Sequence, residues 1–457
     1  MSAPGNGLPD GLLLAWLGDD FTGSTDAMEA FAAAGVPAVL FLQPPTGDDL
    51  ARFAHVRAVG LASTARSQAP DWMDAELPAR FGALAALGAP LLHYKVCSTF
   101  DSSPAIGSIG RAIDIGTRVM RGRWSPLLVG APRLKRYQLF GHLFAVVDGI
   151  GHRLDRHPVM ARHPVTPMDE ADLRRHLARQ TARRIELIDM PTLKAGQGVA
   201  RVAALAGDDA PVVALDVLDD ETLRAAGELV WTQRGDGLFC AASSGLQDAL
   251  AAHWRHCGWL PALPSLPAAE PVDVIAAVSG SCSPVTAAQI GWARAQGFAV
   301  ERLRLPPLFD GRAEAEIERV VAIAVAAAGQ GRSPLVHSAE GPDDAAVVGF
   351  AALAAQTGLP RDEAARRIGQ ALAEVMRRLL QRVPLRRVLV AGGDSSGEVA
   401  RALGVDALTV AAGLAPGAPL CQGWRQGRPV LELVLKGGQM GAASFFGSVR
   451  AGRVLPG

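Results

Sequence analysis

Three carboxylates crowd the ten-residue stretch GDDFTGSTDA, positions 18–27, directly after the apolar run LLLAWL. A tight turn is served by a single Asp or Gly, so Asp19, Asp20 and Asp26 together point to ligand or proton chemistry. Two later segments carry complementary groups. In GLASTARSQ, Thr64, Arg66 and Ser67 follow an apolar run. In LLHYKVCSTFDSS, alternation puts His93 and Lys95 on one strand face, and the chain then enters a loop of Ser98, Thr99, Asp101, Ser102 and Ser103. Cations pair with a carboxylate while acids accept from hydroxyls, so this set suits a small polyhydroxy anion.

The second half carries different groups. DVIAAVSGSCSPVTAAQI runs from a strand through a Gly/Ser turn into a helix, with Ser283 as N-cap and Pro284 in the first turn. RRVLVAGGDSSGEVARALG repeats the plan with Gly392, Gly393, Asp394 and Ser395, and LELVLKGGQMG ends a strand at Lys436, Gly437 and Gly438. Glycines let backbone N–H groups approach an anion closely, and helix N-termini favour negative charge. Three such loops predict a nucleotide-phosphate site. No G-x-x-x-x-G-K-[ST] occurs, which excludes a P-loop enzyme, and no G-x-G-x-x-G follows the first strand, which disfavours a dinucleotide dehydrogenase. Residues 393–397 match G-x-S-x-G, the nucleophile elbow of a hydrolase. That fold needs a histidine after the serine, and the last histidine here is His337.

Such groups require strand ends and helix starts to hold them. Short apolar runs alternate with longer Ala-rich helical patterns throughout, the signature of an α/β protein. LLLAWL reads as a strand; from Ser24, Met28, Phe31, Ala32 and Ala34 fall at helical spacing until GVP stops the helix, and AVLFL is the next strand. The acidic loop then lies at the carboxyl end of its strand, where open α/β sheets bind ligands. At 457 residues two large domains are expected. PALPSLPAAEP, residues 261–271, holds four prolines in eleven positions and marks the boundary, giving domains at 8–262 and 270–457.

Composition narrows the function classes. Lys plus Arg equal Asp plus Glu at 45 each, so no global field draws nucleic acid or an anionic membrane. The basic cluster RRHLARQTARR reads as a solvated helical face. The start MSAPGNGLPDG lacks the features of a signal peptide, and no apolar run has the ~18–20 residues of a membrane span. Five scattered cysteines without C-x-x-C spacing fit reduced cytoplasmic thiols, and HWRHC at 253–257 reads as a helix end rather than a metal site.

Taken together, these segments resemble the four-carbon acid sugar kinase family, long catalogued as a domain of unknown function. The likeness rests on DDFTG followed by an acid (Asp19 to Gly23, Asp26), on Arg66, and on Lys95 to Ser102 against a K-x-D-S-T-x-R-G loop. In the second half it rests on Gly280 to Gln289, Gly392 to Ser395 and Lys436 to Gly441, with SSGL at 243–246 and APGAP at 415–419 in support. The resemblance implies two α/β domains facing a central cleft, an N-terminal sugar-acid-binding domain and a C-terminal nucleotide-binding domain. It implies Asp20, Arg66, Lys95, Val96, Cys97 and Ser98 at the sugar acid, with Asp20 or Asp19 as base. Ser281, Ser283, Gly392, Gly393, Asp394, Ser395, Gly437 and Gly438 would hold ATP, which arrives with Mg2+; the metal ligands and a homo-oligomer are left open. Cys97 and Asp101 stand where the family pattern has Asp and Arg, a change that favours a branch acting on a branched sugar acid over threonate or erythronate. A non-catalytic sensor of sugar acid and nucleotide is the rival from another class.

Overall fold

In the computed structural model, residues 7–147, 149–163, 165–261 and 266–455 are described, and the side chains of Asp362 and Asp394 lie outside the described set. The chain divides into two units, Met1–Ser265 and Leu266–Gly457. Residues 262–265, in the proline-rich segment where the sequence places its boundary, lie outside the described residues. No described helix is long and apolar enough to cross a membrane, and none of the five cysteines forms a disulfide.

The N-terminal unit is built on strands β1 (Leu14–Gly18), β2 (Ala38–Phe41), β3 (Ala58–Ala62), β4 (Leu91–Lys95) and β5 (Ser125–Leu128). Three more form a separate antiparallel sheet, β6 (Arg136–Leu139), β7 (His142–Val147) and β8 (Ile150–Arg153). The set is completed by β9 (Ile185–Ile188), β10 (Val212–Leu215) and β11 (Leu238–Ala242). The main sheet runs β2-β3-β1-β4-β11-β5-β10-β9, with every pairing parallel. Each residue of β1, β3, β4 and β11 is buried, as expected of a parallel sheet covered on both faces. The alternation read from His93 and Lys95 therefore does not divide a wet face from a dry one. Burial lowers the His93 pKa to about 3, keeping the ring neutral. Its Nε2–H donates to the Ala242 carbonyl (2.9 Å) and its Nδ1 accepts from Gln247 Nε2 (3.1 Å), tying β4 to β11.

Two helical expectations change. The first helix is Phe21–Ala33, starting three residues before Ser24, because Asp20 caps it by accepting from the Gly23 amide. The basic cluster forms only a short helix, Leu173–Leu177, and within it His176 is buried rather than solvated. Strain is avoided where β1 meets β3: Trp16 pairs with Gly60, and a Cβ on Gly60 would overlap the buried indole.

The C-terminal unit contains β12 (Ala276–Ser279), β13 (Ala299–Arg302), β14 (Pro334–His337), β15 (Arg387–Ala391), β16 (Ala407–Ala412), β17 (Leu420–Arg425) and β18 (Arg428–Lys436), in the order β13-β14-β12-β15-β18-β17-β16. The first five are parallel, and β17 runs antiparallel to both neighbours. Ile275, Leu335, Leu389, Val434 and Phe446 belong to its core. Arg387 is fully buried yet satisfied, donating to Glu432 (2.6 Å) and to the carbonyls of Val449 and Glu270 (both 2.8 Å).

Gly60→Ala should lower the unfolding free energy by about 1–3 kcal/mol, the usual result of overpacking a filled core. Gly82→Ala, in the helix Pro70–Ala85 with open space around it, should be neutral or stabilising. Urea denaturation of the two variants checks the contrast.

Candidate active site

Backbone bonds lace three strand ends together in the N-terminal unit. The Asp19 amide donates to the Lys95 carbonyl at the end of β4, and the Arg66 amide, in the turn after β3, donates to the Asp19 carbonyl (both 2.9 Å). Side chains converge on the same point. Arg66 donates to Asp19 through Nε and Nη2 (3.1 and 2.8 Å) and to Asp20 through Nη1 and Nη2 (both 2.9 Å). Four of its five N–H groups are thus committed to two adjacent carboxylates. Asp20 also accepts from Thr22 Oγ1 and the Gly23 amide, each at 2.7 Å. Gly23 has to be glycine, because a Cβ would overlap Asp20 and come within 3.0 Å of Lys95 Nζ.

The two acids respond oppositely to this setting. Burial pushes the Asp19 carboxyl up from its ordinary value, against the pull of Arg66. Burial also raises Asp20, but the charges of Arg66 and Lys95 and the bonds from Thr22 and Gly23 outweigh it and hold Asp20 low. Asp20 is therefore ionised and is the more open of the pair, its side chain 12% exposed against 3% for Asp19.

Lys95 is buried, donates to the Val96 carbonyl (2.9 Å) and stands 3.6 Å from Asp26. Asp26 lies beyond the first turn of its helix, so it does not act there as a complement to the helix dipole; it accepts from Arg133 Nη2 (2.9 Å). Arg133 also reaches Glu29 (3.3 Å) and Asp248 (3.4 Å). Sequence reasoning missed Arg133. Its one available signal was a position just past the carboxyl end of β5, behind Gly130, Ala131 and Pro132.

Val96, Cys97 and Ser98 continue directly from Lys95. The Cys97 thiol lies 2.9 Å from Thr99 Oγ1, which donates to Asp101 (2.8 Å). Burial and the Asp101 charge push Cys97 up to about 11, so it stays a neutral thiol. Phe100 holds a left-handed φ of 57°, with its ring packed on His176.

In the C-terminal unit the three glycine loops sit at the carboxyl ends of β12, β15 and β18, neighbouring parallel strands. The Gly280 amide donates to Ala391 and the Gly392 amide to Lys436 (both 2.9 Å). Ser283 caps the helix Pro284–Ala295 and also donates to the Gly438 carbonyl (2.8 Å). A Cβ on Gly280 would overlap Ser395 Oγ, and one on Gly438 would come within 2.6 Å of Ser281 Oγ. Gly392 caps the helix Gly393–Ala402 at φ 127°, and Gly437 follows Lys436 at the end of β18. These loops bring Ser281, Ser283, Gly392, Gly393, Ser395 and Gly438 together; the Asp394 side chain lies outside the described residues. Lys436 is fully buried beneath them, donates to Thr286 Oγ1 (3.0 Å), and is lowered by burial to about 7. Closely packed glycine loops over a buried amine fit an anionic ligand.

Two cavities are lined by other residues. A cavity of about 510 Å³ lies against Arg302, Leu305, Asp344 and Leu353, and one of about 230 Å³ against Ser102, Asp169, His176 and Arg179. Neither is lined by Asp20 or the paired glycines. Among the described residues no group of three His, Cys, Asp or Glu side chains could hold a metal ion.

Comparison with known proteins accounts for this division. Residues 14–250 match the family described as a sugar-binding N-terminal domain, and residues 276–446 match the nucleotide-binding C-terminal domain. The chain belongs to the four-carbon acid sugar kinase family and is a kinase by class. Among its relatives, the 3-oxo-isoapionate kinase of Paraburkholderia graminis is 68% identical over 98% of this chain and 96% of the relative. The 3-oxo-tetronate kinase of Cupriavidus necator is 31% identical over 95% of both chains. A solved Salmonella typhimurium structure shares the fold with a TM-score of 0.73 at 24% identity, covering 95% of this chain and 98% of that one.

Lys436 gives a testable pH dependence. Its pKa is lower in the folded state than in the unfolded chain, so the burial penalty is fully present below pH 7. Between about pH 7 and 10.5 the unfolded chain holds the extra proton, and stability rises by at most about 1.4 kcal/mol per pH unit. Lys436→Met should be more stable than wild type below pH 7 and lack that rise, as read by urea denaturation from pH 6 to 10.

Proposed function

We propose that the protein is an ATP-dependent kinase that phosphorylates a hydroxyl of 3-oxo-isoapionate in carbohydrate catabolism. The observation that carries this reading is the 68% identity over 98% of the chain to a 3-oxo-isoapionate kinase. The geometry supports it. Asp20 accepts a hydrogen bond from the substrate hydroxyl and aligns that oxygen for in-line attack on the γ-phosphorus. The new O–P bond forms as the bond from the γ-phosphorus to the β,γ-bridging oxygen breaks, ADP leaves, and the hydroxyl proton passes to the Asp20 carboxylate. Arg66 keeps Asp20 ionised and aimed, while Asp19 braces Arg66 from its other edge. The backbone around Gly280, Gly392 and Gly438 receives the nucleotide phosphates, which arrive as MgATP. The reading places the protein in the cytoplasm, where ATP is available.

Coupled ADP release should be at least about tenfold faster, by kcat/KM, on 3-oxo-isoapionate than on 3-oxo-tetronates, threonate or erythronate. Binding of the acid without any ADP release would mark a sensor instead. Asp20→Asn should lower kcat by about 10²–10³-fold with little change in the KM for ATP, since a positioned acceptor contributes on that scale. Steady-state kinetics on both substrates checks this.

A further inference from the structure

Ser283, Thr286 and Gln289 fall three residues apart at the start of the helix Pro284–Ala295 and so share one face of it. All three donate to carbonyls of the loop that follows Lys436. Ser283 Oγ and Thr286 Oγ1 both donate to Gly438 (2.8 and 2.9 Å), and Gln289 Nε2 donates to Met440, Gly441 and Ala442 (2.9, 3.1 and 3.0 Å). Thr286 and Gln289 are fully buried. Only the amino end of Gln289 suits its position, because Oε1 there would face three carbonyl oxygens. Its Oε1 is left buried with no partner among the described residues. Leaving a buried acceptor unmade is unfavourable, so the loop, not the amide's own satisfaction, sets where this side chain lies.

Two glycines let the loop approach the helix this closely. A Cβ on Gly438 would come within 2.6 Å of Ser281 Oγ, and one on Gly441, whose φ is 84°, within 2.6 Å of the Phe445 ring. A trans peptide points its N–H away from its C=O, and no described peptide bond is cis. With the carbonyls of Gly438, Met440, Gly441 and Ala442 turned to the helix, the amides of Gln439, Gly441, Ala442 and Ala443 face away from it. None of these amides donates to an acceptor among the described residues, and Gln439, Ala442 and Ala443 are exposed. Outward amides in succession, just past a strand end, suit an anion.

We propose that Gln289 is a positioning residue of the nucleotide site, holding the 438–442 loop so that its amides face the phosphates of ATP. This rests on the kinase reading and deepens it with a residue that touches no ligand and acts from behind the loop. Thr286, which also accepts from Lys436 Nζ (3.0 Å), ties the same helix face to the end of β18. Without the Gln289 bonds the loop samples other arrangements, and the apparent affinity for ATP falls with the fraction that is competent to bind.

The test is steady-state kinetics on Gln289→Met, which keeps the length of the side chain and loses both N–H donors. The KM for ATP should rise roughly 5- to 100-fold, the range of two neutral hydrogen bonds, while the KM for the sugar acid stays within about threefold. Amide hydrogen exchange gives a second readout. Residues 438–443 should exchange faster in the variant, and a non-hydrolysable ATP analogue should slow them in wild type. A KM for ATP within about threefold of wild type overturns the assignment, as does an equal rise in both KM values, which marks a general loss of structure. Wild-type exchange over 438–443 that ignores saturating analogue overturns it too. If Gln289→Met does not fold, Gln289→Asn, with the same amide one methylene shorter, carries the test. A rise in the KM for ATP alone supports the assignment, and equal changes, or none, overturn it. Wild type that releases no ADP with any acid overturns the kinase reading, and the exchange measurement then decides the assignment by itself.

Discussion

One guanidinium bridging two neighbouring carboxylates is the constraint on which the N-terminal site depends. Asp19 and Asp20 are adjacent like charges in a buried position, an arrangement that burial alone would neutralise. Arg66 opposes this by offering one edge to each acid: burial still leaves the Asp19 carboxyl raised, while Asp20 is held low, and against burial the two acids in turn hold the Arg66 pKa well above the ordinary arginine value. Breaking such a buried set by removing one partner costs about 3–5 kcal/mol, because the others are left charged and unpaired. The surrounding sheet exists in this register to bring β1, β3 and β4 to a common end, where two backbone bonds and a glycine without side chain let the groups meet.

The C-terminal unit solves a different electrostatic problem with other means. Its loops carry few charged side chains and present backbone amides, serine hydroxyls and helix starts at adjacent strand ends. The one amine beneath them, Lys436, is buried without a carboxylate among the described residues to stabilise its charge, so an arriving phosphate would supply what the fold withholds. The family models divide the chain in two as well, with a sugar-binding domain matched over residues 14–250 and a nucleotide-binding domain over residues 276–446.

Much of this was readable from residue types. The α/β alternation, the strand before DDFTG, the Ser283 cap with Pro284 after it, and the three glycine loops all rest on local rules of capping and turn chemistry, and each appears where those rules put it. The start of the first helix was not readable, because Thr22, Gly23 and Ser24 are poor helix formers and only the Asp20 cap and its tertiary bonds hold them there. Arg133 was not readable for another reason. It follows β5 and meets Asp26, Glu29 and Asp248, all far from it in the chain, through contacts that no sequence spacing encodes. Lys436 was visible as the end of a strand, but LELVLK alternates like a half-exposed strand, and only the two-sided cover of β18 shows that the amine is buried.

Chemical rescue tests the central claim most directly. Arg66→Ala should abolish most turnover of the sugar acid, and added guanidinium at tens of millimolar should restore a measurable part of it by re-bridging Asp19 and Asp20, while urea at equal concentration restores none. An Arg66→Ala enzyme that turns over at the wild-type rate, or one revived equally by urea, would contradict the account.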